Sequence, residues 1–141
     1  MGQRPHEKLE AWKKSIQLAI CVYEATREFP REEQYGLVSQ MRRAVVSVPS
    51  NIAEGAGRGS AGSFKNSLQI ARGSLSELDT QVEVAYRLGY LNQAHVEQLS
   101  GVIEEVSRIL NGLVRSAQRR AALCVLITGV LLTTSLFFIT S

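Results

Sequence analysis

The sequence predicts an all-α fold, an antiparallel up-down-up-down four-helix bundle with a C-terminal hydrophobic helix. Two observations carry this prediction: four segments repeat apolar residues at helical spacing, and short turns separate those segments. Short connections force consecutive helices to run antiparallel. The chain has 141 residues, 45% of them apolar, which suffices for one domain with an ordinary core. We assign residues 1–118 to the bundle and residues 119–141 to a hydrophobic tail.

The first helix is predicted to run from Pro5 to a stop at Phe29-Pro30. Proline suits the first position of a helix, where the amide has no partner, and a residue before proline rarely continues a helix. The apolar residues between these points are Leu9, Trp12, Ile16, Ala19, Ile20 and Tyr23. Because Trp12 lies on this stripe, we expect it in the core rather than stacked on a base.

The second helix is predicted over about residues 33–56, with the proline Pro49 inside it. Its apolar stripe is Val38, Met41, Val45, Val48 and Ile52. A proline inside a helix costs roughly 3 kcal/mol, so packing must hold the segment on both sides. We predict one kinked helix, and two helices with a break at Val48 are the alternative. The residues assigned to local backbone contacts or to a subunit contact are Pro49, Ser50, Asn51, Glu54 and Gly55.

A glycine-rich segment, GAGRGSAGS, follows at residues 55–63. A phosphate-binding loop of the dinucleotide type follows a strand, and a P-loop ends in Gly-Lys-Ser/Thr, whereas this segment follows a helix and lacks that ending. The segment therefore predicts a turn, with Gly55 as the C-cap of the second helix.

The third helix is predicted to begin at a serine cap, Ser60 or Ser63. Its stripe keeps helical spacing over three heptads: Phe64, Leu68, Ala71, Leu75, Leu78, Val82 and Ala85. Small residues beside this stripe, Gly73 and Ser74, are expected to let a neighbouring helix approach closely.

Gly89 is predicted to end the third helix. The fourth helix is predicted to begin at the cap Asn92 and to run to the end of the bundle. It carries a broad apolar face: Val96, Leu99, Val102, Ile103, Val106, Ile109, Leu110 and Leu113. A helix that contacts only the core needs about two apolar residues in every seven, fewer than this face has. We therefore predict that the excess apolar residues contact another subunit.

Two motifs resemble the signature of the 23S rRNA intervening-sequence proteins. The first joins FP at 29–30, YGL at 35–37, Gln40, the Arg42-Arg43 pair, Ser47 and PSNIAEG at 49–55; the second joins IARGSLSEL at 70–78 and LGYL at 88–91. The resemblance covers about residues 6–118. It implies a four-helix bundle that assembles into a ring-shaped pentamer. It also implies a link to nucleic acid, because relatives are encoded inside rRNA genes and a similar protein assists the reverse transcriptase of diversity-generating retroelements.

Charge is distributed unevenly along the chain, whose formal net charge is +3. Residues 31–72 sum to +3, residues 73–107 to −5 and residues 108–120 to +4. This pattern suits pairing of unlike halves between subunits or a basic face for an anion, and solvated helix faces are the alternative. The candidate nucleic-acid-binding residues are Arg42, Arg43, Arg58, Lys65 and Arg72. We expect salt-sensitive phosphate binding, to RNA, without base stacking.

Nothing in the sequence predicts an enzyme, a metal site or a cofactor. The two histidines, His6 and His95, have no ligand set at suitable spacing, and Cys21 and Cys124 indicate neither a disulfide framework nor a zinc site. The sequence therefore predicts a non-enzymatic binding protein whose partners are copies of itself and RNA or a reverse transcriptase.

The last 21 residues, 121–141, carry no charge. At about 1.5 Å per residue, such a helix is long enough to cross a ~30 Å hydrocarbon layer. Arginines precede it, and the N-terminus lacks a secretory signal, so we expect a cytoplasmic bundle with a candidate transmembrane anchor at the inner membrane. A membrane-tethered interaction scaffold is therefore the alternative function. A cryptic extension and a helix packed back on the bundle are the other interpretations of the tail.

Overall fold

Four α-helices form the structure, a computed structural model that describes residues 2–139 and the side chains of residues 2–128. They are α1 (Glu10–Ala25), α2 (Leu37–Gly57), α3 (Ala61–Arg87) and α4 (Gln93–Ile139), with short 3₁₀ turns at Pro5–Lys8 and Arg31–Glu33. Each helix packs on the next, and α4 packs back on α1. The predicted all-α bundle is confirmed, and the described residues contain no strand.

The stripes of α2 and α3 lie in the core as predicted. All five apolar residues of the α2 stripe are buried, and so are six of the seven in α3, with Phe64 half-buried. Large aliphatic side chains repeating every three or four residues leave only one face that can be buried. The sequence is therefore sufficient to orient these two helices.

The α1 helix is rotated relative to the prediction. Its buried residues are Ala11, Ser15, Leu18 and Val22, whereas Ile16, Ile20 and Tyr23 are exposed. Ser15 tolerates burial because its hydroxyl donates to the Trp12 carbonyl at 2.8 Å. Trp12 is half-buried against the core, and the centroids of its ring and of the His6 ring are 5.0 Å apart. The helix thus carries two stripes, and it buries the one that contains Leu18 and Val22 and leaves the other facing outward.

The ends of α1 also differ from the prediction. Pro5 opens the 3₁₀ turn rather than α1, which begins at Glu10. The helix ends at Ala25, four residues before Phe29, because the chain must turn there to bring the buried Phe29 ring beside Tyr90, at 5.4 Å between ring centroids.

The α2 helix is continuous through Pro49, which is buried, so the alternative of a break at Val48 is wrong. It starts at Leu37, later than predicted, where the Glu33 carboxylate accepts from the Leu37 amide at 2.9 Å. Since Pro49 has no amide hydrogen, the carbonyl four residues earlier loses its helical partner. Local side chains bond to the next two carbonyls: the Ser50 hydroxyl donates to Val46 and the Asn51 amide to Ser47, both at 2.8 Å.

Gly55 is not the C-cap of α2, because the helix continues to Gly57 and Arg58 follows as the cap. Gly55 is buried where α2 approaches α3, and a Cβ atom there would lie 2.7 Å from the Ser67 Cβ. Farther along the same contact, the Ser47 and Ser74 hydroxyls are 2.8 Å apart. A neighbouring helix therefore approaches α3 closely at Ser74, as expected, and at Ser67. Gly73, which was also expected to permit this approach, is exposed with nothing within 4 Å of an added Cβ atom and takes no part in it.

Replacing Ser74 by alanine should destabilise the bundle by about 0.5–1.5 kcal/mol, because it leaves the part-buried Ser47 hydroxyl without its partner across the helices. The matched control is Ser76→Ala, whose exposed hydroxyl bonds only within α3, to the Arg72 carbonyl. Urea denaturation monitored by circular dichroism measures both variants. Equal losses of unfolding free energy in the two variants would contradict a stabilising role for the hydrogen bond between the helices.

The apolar face of α4 is covered by the bundle itself. Four of its eight predicted apolar residues are buried and the other four pack against the core: Val96, Val102, Ile109 and Leu113. None of these eight residues is exposed, so they leave little apolar surface for the expected subunit contact. Exposed apolar side chains lie on α1, α2 and α3, for example Val46 and Ile70, and on α4 beyond the bundle.

Beyond the bundle, α4 continues without interruption to Ile139. Leu123, Val125, Leu126 and Ile127 are all exposed, which shows that the tail does not pack back on the bundle as far as residue 128. No helix in the described part of the chain is long and apolar enough to cross a membrane. Much of the predicted anchor, residues 129–141, lies outside the residues whose side chains are described, so the anchor stays a prediction.

Candidate nucleic-acid interface

The antiparallel topology brings four segments to one end of the bundle: the start of α1, the end of α2, the start of α3 and the middle of α4. Two contacts between neighbouring helices mark the middle of the bundle, the Ser47–Ser74 hydrogen bond and the Lys14–Glu105 ion pair at 3.1 Å. We use these contacts to divide the bundle into two halves. The basic half comprises residues 2–17, 47–74 and 106–120, and the acidic half comprises residues 18–46 and 75–105.

Charge is separated along the axis of the bundle. The basic half holds 11 Lys and Arg against 3 Asp and Glu, whereas the acidic half holds 5 against 10. The net charges are therefore +8 and −5. A separation of this size produces a positive potential at one end that attracts anions and steers them toward it.

The predicted nucleic-acid-binding residues do not form one patch. Arg58, Lys65 and Arg72 lie in the basic half, but Arg42 and Arg43 lie in the acidic half. Along α2, Arg43 and Arg58 are separated by 15 residues, or about 22 Å at the helical rise. Arg43 therefore lies far from Arg58, although it lines one cavity with Ser74 and Glu77 of α3.

Arg42 is half-buried and is held against α1 by its contacts. Its Nε donates to the Thr26 hydroxyl at 3.0 Å, and its guanidinium lies 4.5 Å from the centre of the Tyr23 ring. The Thr26 hydroxyl in turn donates to the Val22 carbonyl at 2.8 Å. These contacts join the end of α1 to α2, so Arg42 has a structural role.

Of the remaining candidates, Arg43, Arg58 and Arg72 are exposed and Lys65 is half-buried. Arg58 forms an ion pair with Glu54, which offsets its charge. Arg43 is exposed, and Lys65 and Arg72 lie seven residues apart on one side of α3. None of these three makes an ion pair within the described part of the chain. Lys65 and Arg72 are therefore the predicted residues best placed to meet phosphates.

Sequence reasoning missed eight other cations of the basic half: Arg4, Lys8, Lys13, Lys14, Arg108, Arg115, Arg119 and Arg120. Three of them pair with carboxylates, Arg4 with Glu7, Lys13 with Glu10 and Lys14 with Glu105. The signal that identifies the set is the antiparallel topology, which places both ends of the bundled chain beside the turn between α2 and α3.

An apolar groove of about 650 Å³ opens at the same end. Its lining includes Leu9, Gly55, Phe64, Ala117, Leu123 and Arg120. The groove exists because α4 extends past the bundle and forms a wall beside the turn between α2 and α3. It places an aromatic ring among the cations of the basic half, which the sequence analysis did not expect.

The residues assigned to a subunit contact are only partly accessible. Pro49 and Gly55 are buried within the bundle, Asn51 is half-buried, and Ser50 and Glu54 are exposed. Five exposed apolar residues lie elsewhere, on what we call the α1–α2 face: Ile16, Ile20, Tyr23, Tyr35 and Val46. Tyr35 is 99% exposed. Exposed aromatic and aliphatic side chains beside an arginine are typical of protein interfaces.

The titratable groups do not assemble into a reactive site. Burial raises the pKa of the Cys21 thiol, and burial together with the Glu33 carboxylate raises the pKa of Tyr90. Both shifts favour the neutral, unreactive form. Among the described residues, no three or more His, Cys, Asp or Glu side chains are grouped to hold a metal ion. The absence of enzymatic activity stays a prediction.

Comparison with known proteins identifies relatives of the bundle. The family model for the 23S rRNA-intervening sequence protein matches residues 7–112. A crystal structure of a protein of unknown function from the S23 ribosomal protein family of Bacteroides thetaiotaomicron is similar, with a TM-score of 0.67 and 21% identity, over 74% of this chain and 97% of that chain. No curated protein matches the chain. The structural likeness supports the fold.

Proposed function

Because the chain belongs to the 23S rRNA-intervening sequence protein family, we propose that it is a non-enzymatic homo-oligomer that binds RNA through the basic half of the bundle. The observation that carries this proposal is the separation of charge along the bundle, +8 in one half and −5 in the other. The family name refers to rRNA, so we choose RNA as the nucleic acid. The positive charge of the basic half would attract its phosphates.

Phosphate contacts would supply most of the affinity. Lysine and arginine release condensed counterions when they neutralise phosphates, so the affinity falls steeply as salt rises. Lys65, Arg72, Arg115 and Arg120 make no ion pair with any described residue, so they are available for this exchange. The acidic half repels the same polyanion, which orients the RNA toward one end of the bundle.

Filter binding of the full-length chain to a structured RNA tests the proposal. We expect retention at about 50 mM salt and a loss of roughly 10³-fold in affinity by about 200 mM, as for a protein that neutralises several phosphates. No retention at the lower salt concentration would overturn RNA binding. Retention that does not depend on salt would show that the basic half is not the binding surface.

Assembly into a ring, a pentamer by family resemblance, would repeat the basic half around an axis. If that axis runs along the bundles, every basic half faces the same side, and the copies repel one another there. Apolar contacts must therefore hold the copies together, and the α1–α2 face offers exposed apolar residues for this purpose. Bound RNA would relieve the repulsion, so RNA binding and assembly would stabilise each other.

Replacing Ile20 by glutamate should convert the assembly to monomers without unfolding them, because this side chain is already 55% exposed. A charge in an apolar subunit contact is costly, whereas the same charge in water is not. The control is Gln69→Glu, an exposed position on α3, which packs on α2 and α4. Sedimentation velocity at micromolar concentration measures the mass. A monomeric parent chain, or an assembled Ile20→Glu chain, would contradict the prediction.

A further inference from the structure

The groove at the basic end combines features that phosphate binding alone does not require. Most of its named lining is apolar: Leu9, Phe64, Ala117 and Leu123, with Arg120 supplying a positive charge. Its volume of about 650 Å³ lies within the range of small-molecule sites. A duplex bound only by its phosphates would leave these apolar walls in contact with water.

Phe64 has a defined position in this groove. It lies one turn into α3, half-buried, with its ring held against the backbone of Gly55. Arg120 of α4 lies in the same lining, whereas Lys65, the next residue along α3, lies outside it. The first turn of α3 also presents amide groups that have no carbonyl partner within the helix. An aromatic ring therefore lies next to several groups that attract a phosphate.

We propose that the groove binds an unpaired base of the RNA, stacked against Phe64 while Lys65 and Arg120 meet the neighbouring phosphates. This inference rests on the proposed function and adds the class of substrate: single-stranded rather than duplex RNA. Among the possible occupants, an unpaired nucleotide matches both the apolar walls and the charge, because its base is flat and apolar on its faces and its phosphate is an anion. Bases in a duplex are stacked on each other and do not reach such a site.

The test compares an unstructured single-stranded RNA with a duplex of the same length, by fluorescence anisotropy at fixed salt. Two variants alter the groove. Phe64→Leu keeps an apolar side chain against Gly55 but removes the aromatic face, and Leu123→Gln changes a lining residue that is 56% exposed. The control is Leu126→Gln, which is 65% exposed on the same helix but does not line the groove.

We expect Phe64→Leu to bind single-stranded RNA about 5-fold to 100-fold more weakly, the range that base–aromatic stacking supplies, and Leu123→Gln to weaken the same binding. Duplex affinity should stay unchanged, and Leu126→Gln should behave as the parent chain does. A 2-aminopurine base in the single strand should change its fluorescence on binding to the parent chain, and should not do so with Phe64→Leu.

Three results would overturn the inference, and they differ in what they say of the proposed function. If the parent chain binds both RNAs and the groove variants change neither affinity, RNA binding stands, and the groove serves another occupant such as a protein segment. Equal losses for single strand and duplex would assign Phe64 and Leu123 to folding or assembly. A parent chain that binds neither RNA would remove the proposed function and the inference together.

Discussion

Gly55→Ala should destabilise the bundle by about 1–3 kcal/mol, the usual cost of adding a carbon atom where a core is already full. The added Cβ would lie 2.7 Å from the Ser67 Cβ and 3.0 Å from the Phe64 ring. Rotation of a side chain cannot relieve the first contact, because a Cβ atom moves only with its backbone. The two helices must therefore move apart, and the packing around Ile52 and Leu68 loosens with them.

The matched control is Gly73→Ala, at an exposed glycine inside α3 with nothing within 4 Å of the added carbon. Alanine is favoured over glycine within a helix by about 1 kcal/mol, so this variant should be slightly more stable than the parent chain. The two variants thus make the same chemical change and should shift the urea midpoint in opposite directions. If Gly55→Ala is also stabilising, α2 and α3 do not approach as closely as described.

This glycine illustrates which parts of the fold the sequence can predict. A glycine near the end of a helical pattern is usually a cap, and only the position of a neighbouring helix shows that it is a contact. The same limit applies to α1, where the core-facing residues include Ala11 and Ser15 while Ile16 and Ile20 face outward. Apolar periodicity identifies a buried face only when the larger apolar residues are the buried ones.

The stripes of α2 and α3 meet that condition, and they were predicted residue by residue. Packing around the buried Pro49 keeps α2 continuous, as the stripe on both sides of the proline indicated. The candidate site was harder to predict because its cations come from distant segments. Lys13 and Arg115 are separated by about a hundred residues, and the antiparallel topology places them in the same half. Counting charge along the sequence could not show this.

The role of Arg42 could not be predicted either, for a related reason. Its partners, Thr26 and Tyr23, lie 16 and 19 residues away on the other side of a turn. A basic pair on an amphipathic helix is typical of a nucleic-acid surface, but here Arg42 bonds to the end of α1 and joins it to α2. Reversing Arg42 and Arg43 together would therefore change stability and charge at once, which makes the pair a poor test of RNA binding.

Reversal of Lys65 and Arg72 to glutamate is the sharper test, and it should weaken RNA binding by at least about 100-fold at low salt. Both residues lie in the basic half without an ion pair to any described residue, and Arg72 is exposed. The change removes two cations and adds two anions at the proposed surface. Each lost phosphate contact should also reduce the slope of log affinity against log salt by about 1.

The matched control is Arg27→Glu with Arg31→Glu, two exposed arginines of the acidic half. It lowers the net charge by the same amount as reversal of Lys65 and Arg72 does. The comparison therefore shows whether the position of the charge matters or only the net charge. We expect this control to keep the parent salt slope and to lose only a few-fold in affinity, since charges farther than about 10 Å away are largely screened at 0.1 M salt. Circular dichroism checks that both double variants remain helical. If the two lose affinity equally, binding responds to net charge alone, and the basic half has no special role in holding RNA.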